Sequence, residues 1–452
     1  MNYKENFYNR LTEYINNYKF EEIPTLLKEA REHTIISNKL LYNIEGNYYC
    51  LLGKYDEAIN CFLKAIKLDE TEVVFWKNCA YANFQKSLKI SEEKEYFLNC
   101  AEHNYLEAIK REKNVSSGLL IDIAGVYFEQ DKNDIAGEKI DCACTVNSED
   151  YRDSLWMSLS TIKDAKIRYA LYSLYYQVLK LRGEFEYIGN GPFVHYSGIN
   201  GLIKLLQGDG NFRLSNVAHM DDLSEGRIFY ELLKEKVKKI SILGCTNLSY
   251  DVLPKIRNAY IMSLSEKEDD FNMWKSYGDA GKGCAIFFKR EAFGINYSFE
   301  LTAEEKQVVC DKNNNLPYKL QYVNHTNFLG KGEKIINKIC SILNEIFEYT
   351  NIESNSSLII DILDRVAFLY KRDDCYSDKE IRVVKYSDLK KAQKSDNYLE
   401  HGRSPKLFIP VDLVKYIDKI VLGSAIEYKE SLAQFLYSEG IEKIEVSKVK
   451  IQ

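Results

Sequence analysis

A pattern of small and large side chains that returns about every 34 residues fixes what the first half of this chain can become, because that period builds stacked helical hairpins. The clearest copy reads Tyr42-x-x-Glu45-Gly46-x-x-Tyr49, then Gly53-Lys54-Tyr55, then Ala58-x3-Phe62-x-x-Ala65. Gly46, Ala58 and Ala65 let two antiparallel helices approach, while Tyr49, Tyr55 and Phe62 fill the space between them. A second copy opens with Trp76-x-x-Cys79-Ala80, where Ala80 falls 34 residues after Gly46, and closes with Ala101-x3-Tyr105-x-x-Ala108. An insertion near Ser87 to Glu95 separates its halves. A third copy is Ala124-x-x-Tyr127 with Ala136-x3-Ile140-x-x-Ala143, and a degenerate first one is Phe20-x-x-Ile23-x3-Leu27-x-x-Ala30. Helical periodicity continues from Tyr169 to Leu181 and stops at Gly183.

This pattern resembles the tetratricopeptide repeat. The resemblance implies an all-α solenoid over residues 1–186, most of whose aromatic side chains are core. Solenoids expose a concave surface by geometry, so a protein or peptide segment is the expected partner of this arm.

Around Tyr187-Ile188-Gly189-Asn190-Gly191-Pro192 the helical pattern ends in Gly and Pro punctuation. Beyond it, short apolar runs read as strands: Phe193–Tyr196, Phe212–Ser215, Ala259–Ser265, Cys284–Phe288, Leu320–Val323, Ile381–Tyr386, Lys406–Pro410, Ile417–Leu422 and Ile444–Val446. Helical stretches lie between them, and Ile335–Phe347 with Ser357–Tyr370 read as a helical insertion near residues 331–371. The expected fold class is α+β: a helical-repeat solenoid, then a mixed α/β domain over residues 192–452 with a small, mainly antiparallel sheet.

Composition narrows the function classes. A net charge of −6 argues against a general nucleic-acid coat, which needs concentrated positive charge, without excluding a local basic groove. The run Lys234-Glu235-Lys236-Val237-Lys238-Lys239 reads as a solvated helix face. The eleven Cys include no CxxC, and none of the six His neighbours a Cys pair, so no metal is expected. No apolar run approaches the 18 residues of a membrane span, and the N-terminus has no apolar core of a signal peptide, so no membrane partner and a cytoplasmic location are expected. Neither GxSxG nor HExxH occurs, which removes the usual hydrolase elbow and zinc-protease schemes.

The chemistry-bearing residues cluster in the second half: His195-Tyr196-Ser197, Leu214-Ser215-Asn216, Met220-Asp221-Asp222 with Glu225-Gly226, Ser263-Leu264-Ser265, Met273-Trp274-x-x-Tyr277-Gly278, Glu380-x-Arg382 and Gly423. In order and spacing this set resembles a bacterial domain family of unassigned function, whose pattern runs HYT, LSN, MNDPxEG, SFS, MWxxYG and ExR. The likeness covers about residues 192–430. Ser197 stands where that pattern has Thr, and Asp221-Asp222-Leu223 where it has an Asn-Asp-Pro turn.

The same order is similar, more remotely, to His-Tyr-Glu-type ADP-ribosyltransferases, which implies NAD as substrate. Breaking the nicotinamide–ribose bond passes through an oxocarbenium-like state, as in glycoside hydrolysis. On that resemblance the catalytic set is His195, Tyr277 and Glu380. Glu380 stabilises the developing charge, His195 fixes a ribose hydroxyl, and Tyr277 or Trp274 stacks on nicotinamide. Tyr196, Ser197, Arg213, Trp274 and Arg382 are the remaining NAD-binding candidates, an Arg holding the pyrophosphate. Residue chemistry alone leaves a plainer reading open: His195 bonded to a backbone carbonyl, Trp274 and Tyr277 in the core, and Glu380 with Arg382, two apart on one strand face, as an ion pair. The expected function is an NAD-consuming effector (ADP-ribosyltransferase or NAD glycohydrolase) of a bacterial defence or toxin system, its repeat arm recognising a macromolecular target. The competing expectation is a non-catalytic adaptor whose second domain binds a nucleotide or protein partner.

Overall fold

The computed structural model describes residues 3–16, 19–146, 155–187, 189, 191–208, 210–219, 226–243, 258–294, 315–323, 332–349, 355–387, 392–394 and 406–450. The chain divides into two compact units, the first mainly Met1–Tyr176, the second mainly Gln177–Ile295, Asn313–Phe347 and Asn351–Gln452. The fold class is α+β, with helical repeats preceding a sheet-bearing unit.

The first unit stacks helical hairpins: α1 (Tyr3–Asn16), α2 (Ile23–Glu32), α3 (Asn38–Leu51), α4 (Tyr55–Leu68), α5 (Val73–Lys89), α6 (Lys94–Arg111), α7 (Ser117–Glu129) and α8 (Asn133–Val146). The expected small–large alternation is what packs them. A Cβ on Gly46 would lie 2.5 Å from a ring carbon of Phe62, so only glycine admits that ring between α3 and α4. Ala58, Ala65, Ala101 and Ala108 are fully buried, as the antiparallel approach requires. Gly53, at φ +69°, ends α3 in the left-handed conformation that glycine adopts without strain. The insertion at Ser87–Glu95 lengthens the hairpin rather than looping out: α5 and α6 have 17 and 18 residues, against 14 each in α3 and α4. Ser116 caps α7 by accepting the Leu119 N–H.

In the second unit, β1 (Phe193–Ser197), β2 (Phe212–Asn216), β3 (Ala259–Ser265), β4 (Cys284–Phe288), β5 (Pro317–Lys319), β6 (Gln321–Val323), β7 (Tyr370–Arg372), β8 (Glu380–Tyr386), β9 (Gln393–Lys394), β10 (Leu407–Val411), β11 (Ile417–Leu422) and β12 (Ile444–Val446) carry the site. The main sheet runs β12-β11-β4-β1-β3-β2-β10-β9, with β8 against β3 and β5 on β8. Its pairs are antiparallel except β11 with β12. β6 and β7 form a separate parallel pair, spanned by the helices Glu333–Tyr349 and Ser356–Ala367. The second of these stops at Ala367, short of the expected Tyr370, and Tyr370 opens β7 instead.

The pairing around β3 shapes the site. β8 lies along β3 from Ala259 to Ser265. On its other edge β3 meets β1 only at Ser265 and β2 only at Tyr260 and Ile261, so the edge around Ser263 is left open by strands. The sheet packs an apolar cluster on each face. Phe193, Met262, Leu264, Ile286, Ile381 and Val383 face one core, against which the helix α9 (Ile199–Gln207) packs its Ile199 and Leu202. Val194, Tyr196, Ala285, Phe287 and Val421 face a smaller cluster with Met273 and Trp274.

Candidate functional site

Strand alternation sorts the candidate residues before any chemistry does. Phe193, His195 and Ser197 leave β1 on the side opposite Val194 and Tyr196, while Glu380 and Arg382 leave β8 opposite Ile381 and Val383. His195 therefore emerges with the larger core, and Glu380 on the face of Tyr196 and Trp274. One cleft lined by His195, an aromatic ring and Glu380 is not what the register builds: Val194 pairs with Ser265, and Ser265 with Glu380, so Glu380 shares a face with Val194.

Ser263 joins the two. Its carbonyl, on the open edge of β3, lies 3.0 Å from His195 Nδ1. Its hydroxyl, on the other face, donates to Glu380 Oε1 at 2.6 Å. A carbonyl only accepts, so Nδ1 carries the imidazole proton. Burial pushes the His195 pKa below its ordinary value, against the opposing effect of this bond.

Glu380 is the centre of a buried ionic cluster. Arg382 Nε donates to Oε1 at 2.6 Å and Lys371 Nζ to Oε2 at 2.8 Å. Lys371 also reaches Asp378 at 3.2 Å, and Tyr277 donates its hydroxyl to the same Asp378 oxygen at 3.1 Å. The Tyr322 hydroxyl accepts the Glu380 N–H at 2.8 Å. Burial raises the Glu380 carboxyl, but Arg382 and Lys371 outweigh it and hold it at about 2, so it is ionised at neutral pH. Burial opposes the charge on Lys371, and Glu380 reverses that, keeping the ammonium well above its ordinary range. Arg382 is fully buried and also donates to the Phe368 carbonyl at 2.8 Å, so it holds Glu380 from within the core.

Tyr277 is 47% exposed and presents its ring at the margin of this cluster. Trp274 is core: it is 1% exposed, meets Tyr196 edge-on at 5.1 Å and donates Nε1 to Asp269 at 2.6 Å. Asp269 also accepts from Ser447 Oγ at 2.6 Å and the Lys448 N–H at 3.0 Å, which ties Trp274 to the segment after β12. The Tyr196 hydroxyl donates to the Glu268 carbonyl at 2.7 Å. Gly423 and Gly283 serve a close backbone approach: a Cβ on Gly423 would lie 2.0 Å from the Gly281 carbonyl oxygen.

His195, Ser197 and Arg213 come together elsewhere, around a half-open cavity of about 270 Å³ on the α9 side of the sheet. Arg213 borders this cavity from β2, but its side chain leaves the strand opposite Phe212 and Leu214, and its guanidinium lies 4.3 Å from the Phe408 ring centroid on the other face. The structure thus brings Tyr277, Glu380 and Arg382 together, gathers His195 and Ser197 separately, turns the Arg213 guanidinium to the opposite face, and places Tyr196 with Trp274. Asp221, Asp222 and Glu225 lie outside the described residues.

Sequence reasoning did not single out Lys371, Asp378 or Tyr322, nor give Ser263 a role. A lysine closing the apolar run Phe368-Leu369-Tyr370 was the available clue to Lys371. Among the described residues no group of three or more His, Cys, Asp or Glu could hold a metal ion, and no helix is long and apolar enough to cross a membrane.

No curated protein matches the chain. Residues 46–87, which run from the second half of α3 through α4 and most of α5, match the family described as TPR repeat, so this stretch is similar to a helical repeat of the protein-interaction kind.

Proposed function

We propose that the sheet-bearing unit binds NAD beside Glu380 and transfers its ADP-ribosyl group, while the repeats hold the protein that is modified. The observation that carries this reading is the convergence on Ser263 of an imidazole from β1 and a carboxylate from β8. An oxocarbenium-like ribose needs a carboxylate that is already ionised, and Arg382 with Lys371 keep Glu380 so. A carboxylate offers about four acceptor positions. Ser263, Arg382 and Lys371 occupy three, which leaves room for one ribose hydroxyl. The exposed Tyr277 ring supplies a stacking face for nicotinamide. Nicotinamide departs with the electron pair of the glycosidic bond, and an acceptor hydroxyl or water bonds to the ribose carbon and loses its proton to solvent. His195 is then a positioning residue acting through Ser263, and Trp274, Tyr196 and Arg382 support the site from the core.

The pairing of Glu380 with two cations also favours a second reading, in which the cluster is a structural ion network and the chain is a helical-repeat adaptor. Incubation of the full chain with NAD and chromatography of free nicotinamide separates the two. Wild type should release nicotinamide, Tyr277→Ala should release it about ten- to a hundredfold more slowly, and Glu380→Gln should lose the release. No release by wild type, or equal release by wild type and Glu380→Gln, leaves the adaptor.

A further inference from the structure

The cavity on the α9 side of the sheet belongs to neither reading, because Glu380 leaves the sheet on the other face. Its walls are apolar: Leu202 and Leu205 from α9, Phe212 from β2, Met262 from β3 and Ile286 from β4. His195 lines it from β1, its ring nearly perpendicular to that of Phe212 with the centroids 6.0 Å apart. Charge is confined to the rim. Lys204 is exposed, the Arg213 guanidinium turns to the opposite face over Phe408, and none of the described lining residues is acidic. The interior therefore selects an uncharged guest, since a buried charge would find no partner there. An apolar cavity of about 150 Å³ holds a benzene ring, so about 270 Å³ admits one ring or two fused rings.

We infer that this cavity binds a small uncharged aromatic molecule that carries one N–H or O–H donor. His195 sets the donor. Its Nδ1 proton is committed to the Ser263 carbonyl at 3.0 Å, so Nε2 of the neutral ring can only accept, and among the described residues nothing donates to it. Burial pushes the imidazole pKa below its ordinary value, so the ring is neutral at pH 7 and keeps that acceptor. A guest that drives water from the cavity without bringing a donor leaves Nε2 dry and unpaired, which weakens its binding. The walls set the ring. Phe212 offers an aromatic surface and Met262 a polarisable thioether, and both favour an aromatic guest over an aliphatic one of equal area. The site extends the account beyond the NAD reading and does not depend on it.

Ligand-observed NMR titration of the full chain with indole and with benzofuran tests the assignment, because the two rings match in shape and differ in the N–H. Indole should bind with a Kd of about 0.1–1 mM, as a compact ligand of this size can reach. Benzofuran should bind about tenfold more weakly, the factor that one buried hydrogen bond supplies. His195→Phe keeps a ring and deletes the acceptor, so indole and benzofuran should then bind equally. Leu205→Trp, at a half-buried position on α9, fills the cavity and should abolish binding of both. Absence of indole binding, equal affinity of wild type for the two rings, or unchanged indole affinity in Leu205→Trp overturns the site. Nicotinamide release that persists while indole binding fails overturns this inference alone.

Discussion

Replacing Glu380 by Gln deletes one charge from a cluster in which Lys371 and Arg382 have side chains only 9% and 1% exposed. Two routes give the cost. Removing one partner of a buried ion pair costs about 3–5 kcal/mol, because the remaining charges stay desolvated. Independently, the carboxyl is held at about 2 against an ordinary 4.5, which at about 1.4 kcal/mol per pH unit corresponds to about 3 kcal/mol. A unit of this size loses about 2–4 °C in Tm per kcal/mol, so thermal unfolding at pH 7 should fall by about 6–12 °C. The pH dependence gives the sharper check. The folded carboxyl titrates below the unfolded one, so its contribution is complete above about 4.5 and is lost as pH falls towards about 2. The gap between wild type and Glu380→Gln should therefore be widest at neutral pH and narrow steadily below pH 4.5. A gap under about 0.5 kcal/mol at pH 7, within the range of ordinary surface substitutions, refutes the reasoning, as does one that stays constant down to pH 3.

Gly46→Ala sets helix propensity against packing. Alanine favours the helix by about 1 kcal/mol, but its Cβ would lie 2.5 Å from Phe62, and overpacking costs about 1–3 kcal/mol. Urea unfolding should show net destabilisation, whereas Gly118→Ala, where a Cβ meets nothing within 4 Å, should be neutral or stabilising. Trp274→Phe removes the donor to Asp269 and should cost about 1 kcal/mol by the same assay, since a half-buried acceptor loses one of its partners.

The repeats were legible because their packing rule is local: Gly46 and Ala80 announce close helix contacts through spacing alone. The strands were legible as bounded apolar runs such as Cys284–Phe288. What failed was the end of the helix Ser356–Ala367, where Phe368, Leu369 and Tyr370 prolong the apolar pattern past the turn made by the Leu369 N–H to the Val366 carbonyl. That error hid Lys371, which reaches Glu380 only because residues 370–372 form a strand. The residue types at the site could be read, but not their faces. Whether His195 and Glu380 share a side depends on how β1 and β8 register against β3, and a one-residue slip in either pairing would reverse the answer.

Hydrogen–deuterium exchange of the full chain with and without NAD locates the ligand most directly. Slower exchange should appear in the segments carrying Ser263, Tyr277 and Lys371 to Arg382, and Glu380→Gln should abolish it. Unchanged exchange throughout the sheet-bearing unit would contradict the account.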